Sequence, residues 1–139
     1  MLIKENQLLQ KFKEQNISYV PLLLYGPNEG LIRENYSKLK NIFNQTNFEE
    51  INLIGKAITE QPEVLIDEIK TVSMFNDHKI ITIDQPLDKN VEIFEEAFAM
   101  LPSNTLIIVL ANNLKKTSKI RKFFENSKAS LRVQTMKMI

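Results

Sequence analysis

The stretch with the clearest chemical potential is 21–32, PLLLYGPNEGLI, an apolar run that enters a glycine turn and continues into helix-forming sequence. A nucleotide-binding protein would hold its phosphates at such a strand–turn–helix junction. The pattern required is G-x-x-x-x-G-K-[ST]: glycines let backbone N–H groups approach, Lys meets the β/γ-phosphates, and a hydroxyl holds Mg²⁺. Counted from Gly26, the last three of those positions are Leu31, Ile32 and Arg33. The turn therefore has the outline of a P-loop, degenerate in the residues that would bind. The expectation is a domain without intrinsic catalysis, catalytic residues or a cofactor.

The other candidates are weaker. Asp84 ends the run Ile80-Ile81-Thr82-Ile83, and a carboxylate at the carboxyl end of a parallel strand is where such enzymes hold Mg²⁺. Gln85 follows it, and the turn supplies no Lys or Ser/Thr to share the ion, so Asp84 reads as a polar exit from a strand. Asn112 and Asn113 follow the run 106–110, where a γ-phosphate sensor would stand. Without a cradle they read as turn residues, because Asn tolerates left-handed backbone. His78 is the only histidine, and no convergent partner for a metal is identifiable. With no G-x-S-x-G elbow either, it reads as a solvated loop residue, and no metal site is expected.

Lys115, Lys116, Lys119, Arg121 and Lys122 form a basic stretch. Lys119 and Lys122 share a helix face opposite Ile120, Phe123 and Phe124, the ordinary solvated side of an amphipathic helix. Phosphate contact by DNA there would be weak and steep in salt. Met74 and Phe75 differ in kind. They lie within TVSMFNDH (residues 71–78), flanked by Ser73, Asn76 and Asp77. Two large apolar side chains in a short polar loop can fold inward over the core or project as an anchor for a partner. Pattern alone favours the inward reading.

These residues must be positioned by alternating elements. Continuous aliphatic runs at 20–24, 79–83 and 105–110 suit strands buried on both faces. Shorter strands are expected at 48–53 and 131–133. Between them, helical spacing puts Ile32, Tyr36, Leu39 and Phe43 on one face, then Leu65, Ile69 and Val72, then Val91, Phe94, Phe98 and Leu101, then Ile120, Phe123 and Phe124. An amphipathic helix is expected over 5–15. Pro62 suits a first helical turn, Pro102 stops the third stripe, and Thr117 or Ser118 can cap the last helix. Helix, then strand and helix four times, then a strand, predicts a three-layer α/β domain with a five-stranded parallel sheet.

Composition sets the outer bounds. The 139 residues suit one domain, and 43% hydrophobic with 25% charged residues is ordinary globular content. A net charge of +1, from 18 basic and 17 acidic residues, demands no polyanionic partner. The absence of Cys excludes disulfides and thiol chemistry. The N-terminal MLIKENQLLQKFKEQ mixes charge into its apolar residues, so neither a signal peptide nor a membrane span is expected, and the default location is the cytoplasm.

Taken together, the chain resembles the N-terminal domain of the delta subunit of the bacterial DNA polymerase III clamp loader. The resemblance is carried by Leu23-Leu24-Tyr25-Gly26-Pro27-Asn28-Glu29 with Leu31-Ile32-Arg33-Glu34, and by Ser73-Met74-Phe75 leading into Lys79-Ile80-Ile81-Thr82-Ile83. It continues in Leu101-Pro102-Ser103-Asn104-Thr105 and in Lys115-Lys116-Thr117-Ser118-Lys119. It implies a RecA-like or AAA+-like domain that has no ATPase activity, within a family belonging to a polymerase holoenzyme. It also implies that Met74 and Phe75 point outward and contact the ring-shaped sliding clamp (beta subunit), supporting clamp opening and DNA replication. Two such side chains in a pocket would contribute about 1.5–3 kcal/mol each, partly offset by association entropy. Other loader subunits are the further partners implied for the full-length protein. The family's lid and C-terminal collar domains have no counterpart before Ile139, so 1–139 is expected to be the single AAA+-like domain. The alternatives are an atypical P-loop nucleotide-binding protein and a DNA-binding module using the basic stretch.

Overall fold

Apolar runs too short for buried helices and rich in Leu, Ile and Val form the middle of a parallel sheet. The computed structural model describes residues 2–3, 21–43, 48–71, 78–102, 104–126 and 131–134. The strands are β1 (Leu2–Ile3), β2 (Leu22–Tyr25), β3 (Phe48–Ile54), β4 (His78–Asp84), β5 (Thr105–Leu110) and β6 (Leu131–Gln134). They lie in the order β1-β6-β2-β5-β4-β3, and every pair is parallel. Four of them, β2 to β5, carry the core. β6 and the two-residue β1 extend the sheet on one side.

Where five were expected, the sheet among the described residues has six strands, four of them in the core. The additional strand is Leu2–Ile3, too short to produce a period in the sequence and defined only by its pairing with Arg132 and Val133. The helix expected over 5–15 lies outside the described residues.

Among the described residues, five α-helices accompany the strands: α1 (Glu29–Phe43), α2 (Gly55–Glu60), α3 (Glu63–Lys70), α4 (Val91–Ala99) and α5 (Lys119–Asn126). Where one helix was expected between the strands at 48–53 and 79–83, there are two. Pro62 explains the break: it has no N–H to continue the ladder of α2, and its fixed φ, here −58°, starts α3 instead. Val72, expected on the stripe of Leu65 and Ile69, lies outside the described residues. Ser118 caps α5 as expected, its Oγ accepting from the Arg121 N–H at 3.3 Å.

Alternation along the strands divides the core between the two sheet faces. Leu23, Tyr25, Ile81, Ile83, Ile107 and Val109 pack with Ile58, Leu65, Ile69, Phe94, Ala97, Ile120 and Phe124, from α2 to α5. An aromatic group joins α4 to α5, with Phe94 stacked on Phe98 at 5.0 Å and Phe123 edge-on to Phe124 at 5.4 Å. The opposite face, carrying Leu22, Leu24, Ile80, Thr82, Leu106 and Ile108, receives α1. There the Tyr36 hydroxyl and Thr82 Oγ1 are 2.8 Å apart. No helix among the described residues is long and apolar enough to cross a membrane.

Candidate functional site

Two ends of this sheet need separate description. At the carboxyl end, β2 leads into the glycine turn between β5 and β6. The chain leaves for the far edge of the sheet there, which is where open parallel sheets form their ligand crevice. Gly26 has φ 149°, a conformation that side chains disfavour, and its N–H donates to the Asn112 carbonyl at 3.2 Å. Gly30 is a helix residue whose added Cβ would meet only ordinary contacts, so the turn depends on Gly26 alone.

Several groups at this turn are engaged within the chain. Pro27 has no N–H. Asn28 caps α1, its Oδ1 accepting from the Leu31 N–H at 3.0 Å and its carbonyl from Ile32 at 3.1 Å. Glu29 adds a negative charge to the first helical turn, favourable to the helix and repulsive to phosphate. At the position of the phosphate-binding Lys, Ile32 is buried in the core.

Arg33, at the hydroxyl position, donates through Nη2 to Asp84 Oδ2 at 2.8 Å. This hydrogen bond is the main reason the guanidinium is held above its usual pKa. The carboxylate that would ligate Mg²⁺ in an NTPase thus meets a fixed cation from its own chain. Further along α1, Lys40 Nζ lies 2.6 Å from Glu50 Oε1 of β3, and the Tyr36 hydroxyl donates to the same oxygen at 3.3 Å. Polar contacts therefore run along one side of α1 to β4 and β3.

Behind this end, Asn90 is a residue that sequence reasoning missed. It is buried, and its Nδ2 donates to the Gly55 carbonyl at 3.1 Å and to Thr59 Oγ1 at 3.0 Å, while Oδ1 accepts from the Leu87 N–H at 2.7 Å. Gly55 must be Gly here, since a Cβ would stand 2.3 Å from the Gln85 carbonyl oxygen. No local pattern marks Asn90, since two of its three partners come from 31 and 35 residues away.

The remaining sequence candidates are placed as follows. Asn112 and Asn113 are exposed, and Asn112 acts through its carbonyl. His78 opens β4 and is half-buried, which corrects its assignment to a solvated loop: pairing with Phe48 draws it into the sheet. Lys115, Lys116, Lys119 and Lys122 are exposed. Arg121 is occupied within the chain, with Nε on Glu125 at 2.8 Å, Nη1 on the Leu114 carbonyl at 3.0 Å, and the guanidinium over the Tyr25 ring. Among the described residues, no group of three His, Asp or Glu side chains could hold a metal ion.

At the amino end of the strands, α3 delivers the chain to Thr71 and β4 resumes at His78. Met74 and Phe75 lie between these points, outside the described residues. The turn before β5 flanks the same place, with the Lys79 N–H donating to the Asn104 carbonyl at 3.0 Å.

An α/β domain with an all-parallel sheet is the class these observations define. The family DNA polymerase III, delta subunit, matches residues 22–134, and the chain belongs to that family. No curated protein matches it in sequence. Among solved structures, it is similar to the Bacillus subtilis DNA clamp loader delta protein (YqeN), with a TM-score of 0.67 at 11% identity over 96% of this chain and 43% of that one. It is also similar to a chain in the structure of Drosophila ORC bound to DNA, with a TM-score of 0.54 at 14% identity over 96% of this chain and 42% of the other. At these identities the likeness is one of fold. The chain spans less than half the length of either structural relative.

Proposed function

We propose that this chain is the clamp-contacting, AAA+-like domain of a delta-type clamp-loader subunit, acting in DNA replication in the cytoplasm without ATPase activity of its own. The observation that supports the reading is the set of contacts at the glycine turn, the Asn28 cap, the buried Ile32 and the Arg33–Asp84 pair, in a chain of the delta family. With nucleotide chemistry removed from that turn, binding remains as the domain's contribution, and Met74 and Phe75 are the residues assigned to it. Their partner is the sliding clamp; the other loader subunits are partners of the complete subunit. A ligand shifts only an equilibrium between states it binds differently, so the pair promotes ring opening by favouring the opened interface.

The test is direct binding of the purified chain to a bacterial sliding clamp. Met74→Ala combined with Phe75→Ala is expected to weaken binding by about 100-fold, the loss expected for two buried anchors, with the circular-dichroism spectrum unchanged. Equal affinity in the double variant would sink the assignment. Calorimetry with ATP and Mg²⁺ is expected to show no saturable heat; saturable binding would favour the atypical nucleotide-binding reading instead.

A further inference from the structure

The two edges of the sheet are unequal. β1, at one edge, is two residues long, which leaves little backbone for another strand to pair with. β3, at the other, runs for seven residues and keeps register with β4 from Phe48 to Ile54 without a bulge. Its outer side pairs with no strand among the described residues. A long, regular edge invites pairing with another chain, and proteins commonly protect it with Pro, Lys or a bulge. FEEINLI contains none of these. Of its two glutamates, Glu50 is engaged by Lys40 and Tyr36. Glu50, Asn52 and Ile54 are exposed, and Ile54, at 53%, is the most exposed large apolar residue among those described.

The order of residues along this edge is self-complementary. Phe48, Glu50, Asn52 and Ile54 share the α1 face, since Glu50 meets Lys40 and Tyr36 there, whereas Ile51 and Leu53 pack on the opposite core. When a second copy pairs antiparallel about a two-fold axis through Ile51, all seven residues find a partner on the same face. Phe48 then stands opposite Ile54, Glu49 opposite Leu53 and Glu50 opposite Asn52. Neither glutamate faces a like charge, and each exposed Ile54 gains an apolar neighbour. Moving the axis to Glu49 or Glu50 would set identical carboxylates against each other. Moving it to Asn52 would leave Phe48 without a strand partner.

We infer that β3 is the edge through which two copies of this chain associate, antiparallel about Ile51, joining their sheets into one. The inference is independent of how the clamp is bound. A single strand edge is a small contact, so the dimer is weak, with a dissociation constant on the order of 100 µM.

Sedimentation equilibrium of the chain, over a concentration series spanning that value, is expected to show a reversible dimer. Hydrogen exchange at the outward amides of β3 is expected to slow as the dimer forms, with α4 and α5 unaffected. Asn52 is exposed, so its substitutions test the register without disturbing the core. Asn52→Glu sets a like charge opposite each Glu50 and is expected to weaken the dimer by about tenfold. Asn52→Lys sets an opposite charge there and is expected to tighten it by about threefold. Ile54→Ser removes both apolar pairs at the exposed ends of the strands and gives a second reading, a loss of about fivefold. A chain that stays monomeric throughout, or two Asn52 variants that dimerise equally, would each overturn the inference. So would protection of β3 only on adding the sliding clamp, which would give the edge to that partner instead.

Discussion

The two ends of the sheet hold their cations differently. At the carboxyl end, Arg33 pairs with Asp84 with both side chains substantially exposed, at 47% and 31%. At the amino end, Lys79 is buried and faces helix carbonyls rather than a carboxylate. The exposed pair is screened by water and contributes little to folding, because solvation of the separated ions is nearly as good. What it does is join the first turns of α1 to the end of β4. The buried lysine has no such alternative, because removing its acceptors would strand an uncompensated charge. It therefore commits three chain segments to one geometry. One end of the sheet carries an exposed ion pair, and the other a buried lysine.

Three changes would break or sharpen this comparison. Gly55→Ala tests how tightly the closed end is packed. Its Cβ would meet the Gln85 carbonyl oxygen at 2.3 Å and Asn90 Oδ1 at 2.9 Å, so a loss of about 2–3 kcal/mol is expected. It would be read as a lower urea midpoint at unchanged slope. A loss below about 0.5 kcal/mol would mean that the 85–90 turn yields easily.

Arg33→Ala is expected to cost less than about 1 kcal/mol. It should create no affinity for ATP, since Pro27, the Asn28 cap and Ile32 stay in place. Measurable triphosphate binding by this variant would show that the ion pair alone excludes the ligand.

The smallest effect belongs to Lys40, whose hydrogen bond to Glu50 raises its pKa above the ordinary 10.5. A folded ammonium that titrates above the unfolded one stabilises fully below about pH 10.5 and loses that contribution as pH rises through the folded value. Denaturation at pH 9 and at pH 11.5 should thus narrow the gap between the parent and Lys40→Met, by less than about 1 kcal/mol. A constant gap would assign the Lys40 contribution to packing over the Tyr36 ring rather than to charge.

Much of the architecture was readable because hydrophobic period is a local property. The runs in 79–83 and 105–110 became β4 and β5, and the stripes led by Ile32, Val91 and Ile120 became α1, α4 and α5. Gly26 was readable because only a turn explains it. β1 was not, since two residues carry no period. Pro62 correctly marked the start of α3, whereas the short α2 before it carried no stripe of its own. At the candidate site, the mismatch at Leu31, Ile32 and Arg33 was plain, yet nothing local paired Arg33 with Asp84, 51 residues away. Lys79 carried a faint signal, a lysine at the head of a run that is otherwise aliphatic apart from Thr82.

The amino-acid sequence by itself determined which longer segments are strands, which faces of the helices are apolar, and where the glycine turn falls. Those properties depend on residue type and spacing over a few positions. Only the tertiary structure decided that Asp84 meets Arg33, that Asn90 holds Gly55 and Thr59, and that Lys79 closes the end of α3. Each of those contacts depends on strand order and register, which bring distant residues to one end of the sheet and are set by the packing of the whole core.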